Sequence, residues 1–143
     1  MLDEHRASLH DCVNGLDEEE ARRSLVPSRT TLLGLVKHVT YVERFYFDHC
    51  VTGRSLKEIG VAATPDRSFI LTGHDTIASV QAAHRVACAE SRRVAAGLDL
   101  HEVVTGRGEQ PVWSIYLRTL RDLAQHCGHA DILREQVLAA RAT

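Results

Sequence analysis

The sequence predicts an all-α protein, an up-and-down four-helix bundle in which residues 1–143 form one domain. Three observations predict it. Four segments repeat apolar residues at three- and four-residue spacing, the signature of a helix with one buried face. Breaker-rich connections separate these segments, with Gly15, Pro27, Gly60, Pro65, Gly73, Gly106, Gly108 and Pro111 as punctuation. Strand-like alternation is nearly absent: only "HEVVT" alternates, and briefly.

In the first segment Leu2, Leu9, Cys12 and Val13 share a helical face, and Gly15 offers a stop. Asp17 followed three residues later by Glu20 reads as a capping box opening the short helix "EEEARRSL". The second long segment is "SRTTLLGLVKHVTYVERFYFDHCV". Ser28 or Thr30 can cap it, Leu32, Leu35, Val36, Val39, Val42, Phe45 and Tyr46 form its stripe, and Gly53 closes it. Residues 54–74 lack steady periodicity and read as a long connection. Asp75 or Thr76 then opens an alanine-rich helix whose stripe runs Ile77, Val80, His84, Ala87, Cys88, Ser91, Val94, Ala95 and Leu98. The last helix runs from about Ser114 to Ala140, with Leu120, Leu123 and Leu133 on its apolar side.

Composition narrows the function. A chain of 143 residues can bury a real core, and 44% hydrophobic with 25% charged residues suits a soluble globular protein. The net charge of −2 supplies no basic field for nucleic acid. The N-terminus "MLDEHRASLHDC" is acidic and lacks the apolar core of a signal peptide, and no apolar run is long enough to span a bilayer. A cytoplasmic location is therefore expected. Cys12, Cys50, Cys88 and Cys127 show no metal-knuckle spacing and read as small buried hydrophobes, about one on each long helix. Arg22–Arg23 and Arg92–Arg93 read as solvated faces.

Polar residues on the apolar faces carry the chemistry. His38 lies three residues after Leu35 and four before Val42, inside the stripe of its helix. Asp122 and His126 stand four apart, so their side chains can converge on one point. That spacing lets one helix offer two ligands to a metal ion, with a third from a neighbouring helix. Two imidazoles and a carboxylate leave coordination positions open, as catalytic zinc sites do, and the same set suits ferrous iron. Spacing alone favours the plainer reading, because D-x-x-x-H arises often by chance and His38 can be a core histidine bonded to a backbone carbonyl.

"PSRTTLLGLVKHVTYVERFYF" together with "LAQHCGHADILREQV" resembles the DinB-like superfamily of four-helix bundles, in the branch allied to mycothiol-dependent maleylpyruvate isomerase. The matching blocks are residues 24–47 and 122–136, and the helix order between them agrees. The resemblance implies a divalent metal, zinc first, with nickel or iron as alternatives. Its ligands would be His38 in "LVKHV" and the pair Asp122 and His126 in "DLAQH". The branch usually carries Glu where this chain has Asp122. The shorter carboxylate requires the metal to sit nearer its helix, or a bridging water. His129 is expected to orient a ligand or pack the helix, and Glu43 to pair with an arginine. His84 is either a buried histidine with one satisfied nitrogen or a residue facing the cavity.

Two function classes follow. In one, the chain is a metal-dependent thiol S-transferase or isomerase that joins a low-molecular-weight thiol, such as mycothiol, to a small electrophile. In the other, it is a non-catalytic metal-binding or stress-related bundle; a helical interaction module with a decayed site is the blandest form. The sequence names no dedicated general base; His84 is only a candidate. A homodimer is expected from the resemblance and from Phe45, Tyr46 and Phe47, since a helix turns about 100° per residue and three consecutive aromatics cannot share one core.

Overall fold

The structure, a computed structural model, describes residues 1–142. Its frame is four helices: α1 (Leu2–Asp11), α3 (Leu32–Arg44), α6 (Ile77–Ala96) and α7 (Val112–Ala140). Short helices α2 (Glu18–Ala21), α4 (Cys50–Thr52) and α5 (Leu56–Ile59) punctuate the connections. Two-residue strands β1 (Val103–Val104) and β2 (Gln110–Pro111) pair antiparallel before α7. The all-α bundle expected from periodicity is the fold. No helix among the described residues is long and apolar enough to cross a membrane.

The stripes meet as expected. Leu9 and Val13 near α1, Leu33, Val36 and Val39 of α3, Val80 of α6, and Leu123, Leu133 and Val137 of α7 belong to one buried cluster. Burying each leucine is worth roughly 1.5–3 kcal/mol relative to exposure. A second cluster gathers Phe47, Cys50, Val104, Val112 and Ile115 where the hairpin meets α7. Leu120, expected on the apolar side with Leu123 and Leu133, is instead half-buried and outside this cluster. Cys12, Cys50 and Cys88 are buried, Cys127 is half-buried, and all four are free thiols. Burial pushes the Cys12 and Cys88 thiols up to about 12, which keeps them protonated and inert.

Some local expectations are corrected. Thr31, not Ser28 or Thr30, caps α3, its hydroxyl accepting from the Gly34 amide at 3.0 Å. Ser28 and Thr30 bond each other instead. Thr76 caps α6 in a reciprocal pair with Ser79, while Asp75 takes Lys37 at 2.7 Å. Residues 54–74 contain α5 and a 3₁₀ turn, Asp66–Phe69. Arg22 is no freely solvated cation: its guanidinium donates to the carbonyls of Thr72 and Asp75. The Asp17–Glu20 capping box and the left-handed Gly53 (φ 77°) stand where the sequence places them.

Beyond Arg44 the chain continues as a π-helical turn, Phe45–His49, before α4. This wider turn redistributes the three aromatics. Phe47 is buried, Phe45 and Tyr46 are half-buried, and none of the three is fully exposed. Arg6 of α1 meets Glu43 of α3 in a buried two-pronged ion pair at 2.6 and 3.0 Å, so the arginine expected to neutralise Glu43 lies on the first helix.

Candidate metal centre

His38 occupies the middle of α3, and Asp122 and His126 lie one turn apart on α7. One ligand atom from each lies within 4.8 Å of the others. His126 Nε2 and Asp122 Oδ1 are 3.6 Å apart, beyond hydrogen-bond distance. Around a four-coordinate ion with bonds near 2.1 Å, neighbouring ligand atoms stand roughly 3.4 Å apart. The Asp122–His126 pair already stands near this spacing, while the wider ligand distances, up to 4.8 Å, would have to draw in to close on a cation. Aspartate at position 122 reaches the cluster directly despite its missing methylene.

A structure-borne turn fixes His38. Ser68 Oγ lies 2.6 Å from His38 Nδ1 and 2.5 Å from the Pro65 carbonyl oxygen. A hydroxyl has one hydrogen, and the carbonyl can only accept, so Ser68 donates to Pro65. His38 Nδ1 must then carry a proton and donate to Ser68. This tautomer leaves the Nε2 lone pair free, which is how a partner on one ring nitrogen prepares the other for a metal. Phe69 stacks on the His38 ring at 4.1 Å and covers it. The turn can approach α3 this closely because residue 34 is glycine: a Cβ there would stand 3.1 Å from the Phe69 carbonyl and 2.9 Å from Thr31 Oγ1.

The electrostatics match a neutral imidazole beside an ionised carboxyl. Burial, reinforced by nearby His126, lowers the His38 pKa to about 4, so the ring is neutral at physiological pH. Burial raises the Asp122 pKa, but His126, His38 and the Tyr46 hydroxyl outweigh it and hold the carboxyl below its ordinary value. Burial, then the Asp122 charge, raises the Tyr46 pKa, so the phenol keeps its proton and donates it toward Asp122 Oδ2 at 3.4 Å. His129 Nδ1 lies 3.3 Å from His126 Nδ1, on the exposed side of α7.

His84 stands apart from this centre. Its Nδ1 is 3.1 Å from His10 Nδ1 and its Nε2 3.4 Å from Cys88 Sγ, so both nitrogens are engaged, not one. Ser68, Phe69 and Tyr46 escaped sequence reasoning. The first two lie in an aperiodic connection, and Tyr46 reads as one of three interface aromatics.

The donor set is two imidazoles and one carboxylate on two facing helices. Such a set binds a borderline divalent ion and leaves positions open for a further ligand. Comparison with curated proteins and with solved structures gives no match. Residues 1–139 match the family model described as mycothiol-S-transferase. The chain belongs to this DinB-like family, mycothiol S-transferase.

Proposed function

We propose that the protein is a divalent-metal-dependent S-transferase that joins a low-molecular-weight thiol of the mycothiol type to a small electrophile. The observation that carries this reading is the convergence of His38, Asp122 and His126 in a chain of the mycothiol S-transferase family. The three residues would hold the ion, zinc first, with nickel or ferrous iron able to use the same donors. When bound, the ion acidifies a coordinating thiol and makes it a nucleophile at neutral pH.

The remaining work falls to the chain. Ser68 holds the proton of His38 at Nδ1 and so presents Nε2 to the centre. Tyr46 donates to one carboxylate oxygen of Asp122, leaving the other for the centre. With His126 Nε2 turned inward, its Nδ1 proton points to His129, which accepts it and fixes the ring. Phe69 excludes water from the His38 face. These contacts preset the ligand geometry, so little is reorganised when thiol and electrophile arrive.

The test is a transfer assay on tag-free protein with mycothiol, zinc or nickel, and a chromogenic electrophile. Metal-dependent turnover that His126→Ala abolishes is the expected result. Metal binding without transfer across a panel of electrophiles would return the protein to the non-catalytic class.

The proposal includes a homodimer. Its support is an outward apolar strip on α7, where Trp113 and Leu117 stand one turn apart at 44% and 58% exposure. Of the aromatic trio, Phe45 and Tyr46 are only half-buried. A sedimentation coefficient of a monomer at micromolar concentration would end this part of the proposal.

A further inference from the structure

A cavity of about 510 Å³ lies between α3, α6 and the segment from α5 to the 3₁₀ turn. Its lining holds three cations, Lys37, Arg44 and Arg67, and no carboxylate. Three further cavities that contain cations also contain Asp or Glu. Charge of one sign inside a concave wall focuses potential on whatever enters.

The three cations are not equivalent. Lys37 is neutralised by Asp75 at 2.7 Å and also donates to the Ile70 carbonyl. Arg67 has no ion-pair partner among the described residues, because its neighbour Asp66 pairs with Arg29 at 3.3 Å. Arg44 also borders the adjoining cavity, where Glu90 is already held by Arg93 at 2.8 Å. Arg44 and Arg67 thus line this cavity without a side-chain hydrogen bond or ion pair among the described residues, although the Arg44 charge also acts on Glu90. Guanidinium forks match the oxygen pairs of carboxylates and phosphates.

The rest of the wall adds selectivity. Thr40 follows Lys37 by three residues and precedes Arg44 by four, so one face of α3 carries all three. The Thr40 hydroxyl donates to the Val36 carbonyl, which leaves its oxygen to accept. Ile59, Val61 and Ala83 contribute apolar surface beside the charges. A compact anionic head with a short apolar body fits this division. Bare inorganic anions would use only half of it.

We infer that this cavity is a binding site for a small organic dianion, a phosphate monoester or a dicarboxylate, gripped by Arg44 and Arg67. The site is distinct from the His38, Asp122 and His126 centre and does not rest on metal being bound there. It adjoins that centre, since Ser68 lines the cavity and also holds His38 Nδ1.

The test titrates phenyl phosphate, phthalate and inorganic phosphate into metal-free full-length protein at constant ionic strength, followed by amide chemical shifts. We expect saturable shifts around Gly60, Ala62 and Ser68, with an aryl dianion binding more tightly than inorganic phosphate. The tighter of phenyl phosphate and phthalate identifies the head group. Arg67→Gln and Arg44→Gln should each weaken binding about tenfold, while Arg85→Gln, outside the cavity, should leave it unchanged. Arg67 is exposed, so its variant will fold. Lack of saturation would overturn the inference. So would equal or tighter binding of inorganic phosphate, or binding that survives in the Arg44→Gln, Arg67→Gln double variant. Because metal is absent throughout, failure here leaves the transferase proposal untouched, and failure of transfer leaves this one standing.

Discussion

Ser68→Ala separates a metal-presenting role from a packing role in one residue. The hydroxyl is almost fully buried, 3% exposed, and bridges His38 Nδ1 to the Pro65 carbonyl. Its removal leaves the buried Nδ1 proton without an acceptor, which costs roughly 1–3 kcal/mol of metal-free stability. It also frees the ring to take the other tautomer, with the proton on Nε2 where the ion should bind. Loss of such an orienting partner typically weakens a metal site 10- to 100-fold, about 1.4–2.7 kcal/mol. The assay is zinc competition against a chromogenic chelator, run beside urea unfolding of the metal-free protein. Both quantities should fall. A metal affinity within twofold of wild type, with stability lost, would refute the tautomer reasoning and reduce Ser68 to a packing residue.

Further outcomes follow from the same geometry. Tyr46→Phe removes the donor to Asp122 Oδ2 and should weaken zinc binding several-fold with little change in the metal-free melt, as competition titration will read. Glu43→Gln removes the buried charge facing Arg6 and leaves that guanidinium only the exposed Asp3 carboxylate at 3.0 Å, and should cost about 1–3 kcal/mol in urea unfolding. His38 and His84 are both held near pKa 4, below the usual 6.5, so their stabilisation is complete above about pH 6.5. As pH falls from there through 4 it is lost, on the order of 3 kcal/mol per histidine. Metal-free melts between pH 7.5 and 4.5 should therefore drop steeply, and less steeply in His84→Gln.

Periodicity made the bundle legible because each long helix buries one stripe, and those stripes read directly from Leu, Val and Ile spacing. His38, Asp122 and His126 were legible as candidates for a related reason, and the family resemblance joined them into one set. A histidine within an apolar stripe, and a carboxylate one turn from another histidine, mark polar atoms on faces that should be dry. What surrounds them was not legible. Ser68 and Phe69 reach His38 through a turn 30 residues away in sequence, admitted by the missing Cβ of Gly34. No local pattern encodes that contact. The π-helical turn likewise leaves no periodic trace, yet it buries Phe47 and leaves Phe45 and Tyr46 half-buried, with none of the trio fully outward. His84 shows the other outcome for a histidine in an apolar stripe: it is a buried residue packed against His10 and Cys88, away from the candidate centre.

The central claim is that His38, Asp122 and His126 hold one divalent ion. A crystal of tag-free protein soaked with zinc, measured at the zinc absorption edge, tests it most directly. The expected result is one strong anomalous peak per chain, about 2.0–2.1 Å from a nitrogen of His38 and of His126 and about 2.0–2.2 Å from an Asp122 oxygen. A peak at His10 and His84 instead, or no peak between α3 and α7 at saturating zinc, would contradict it.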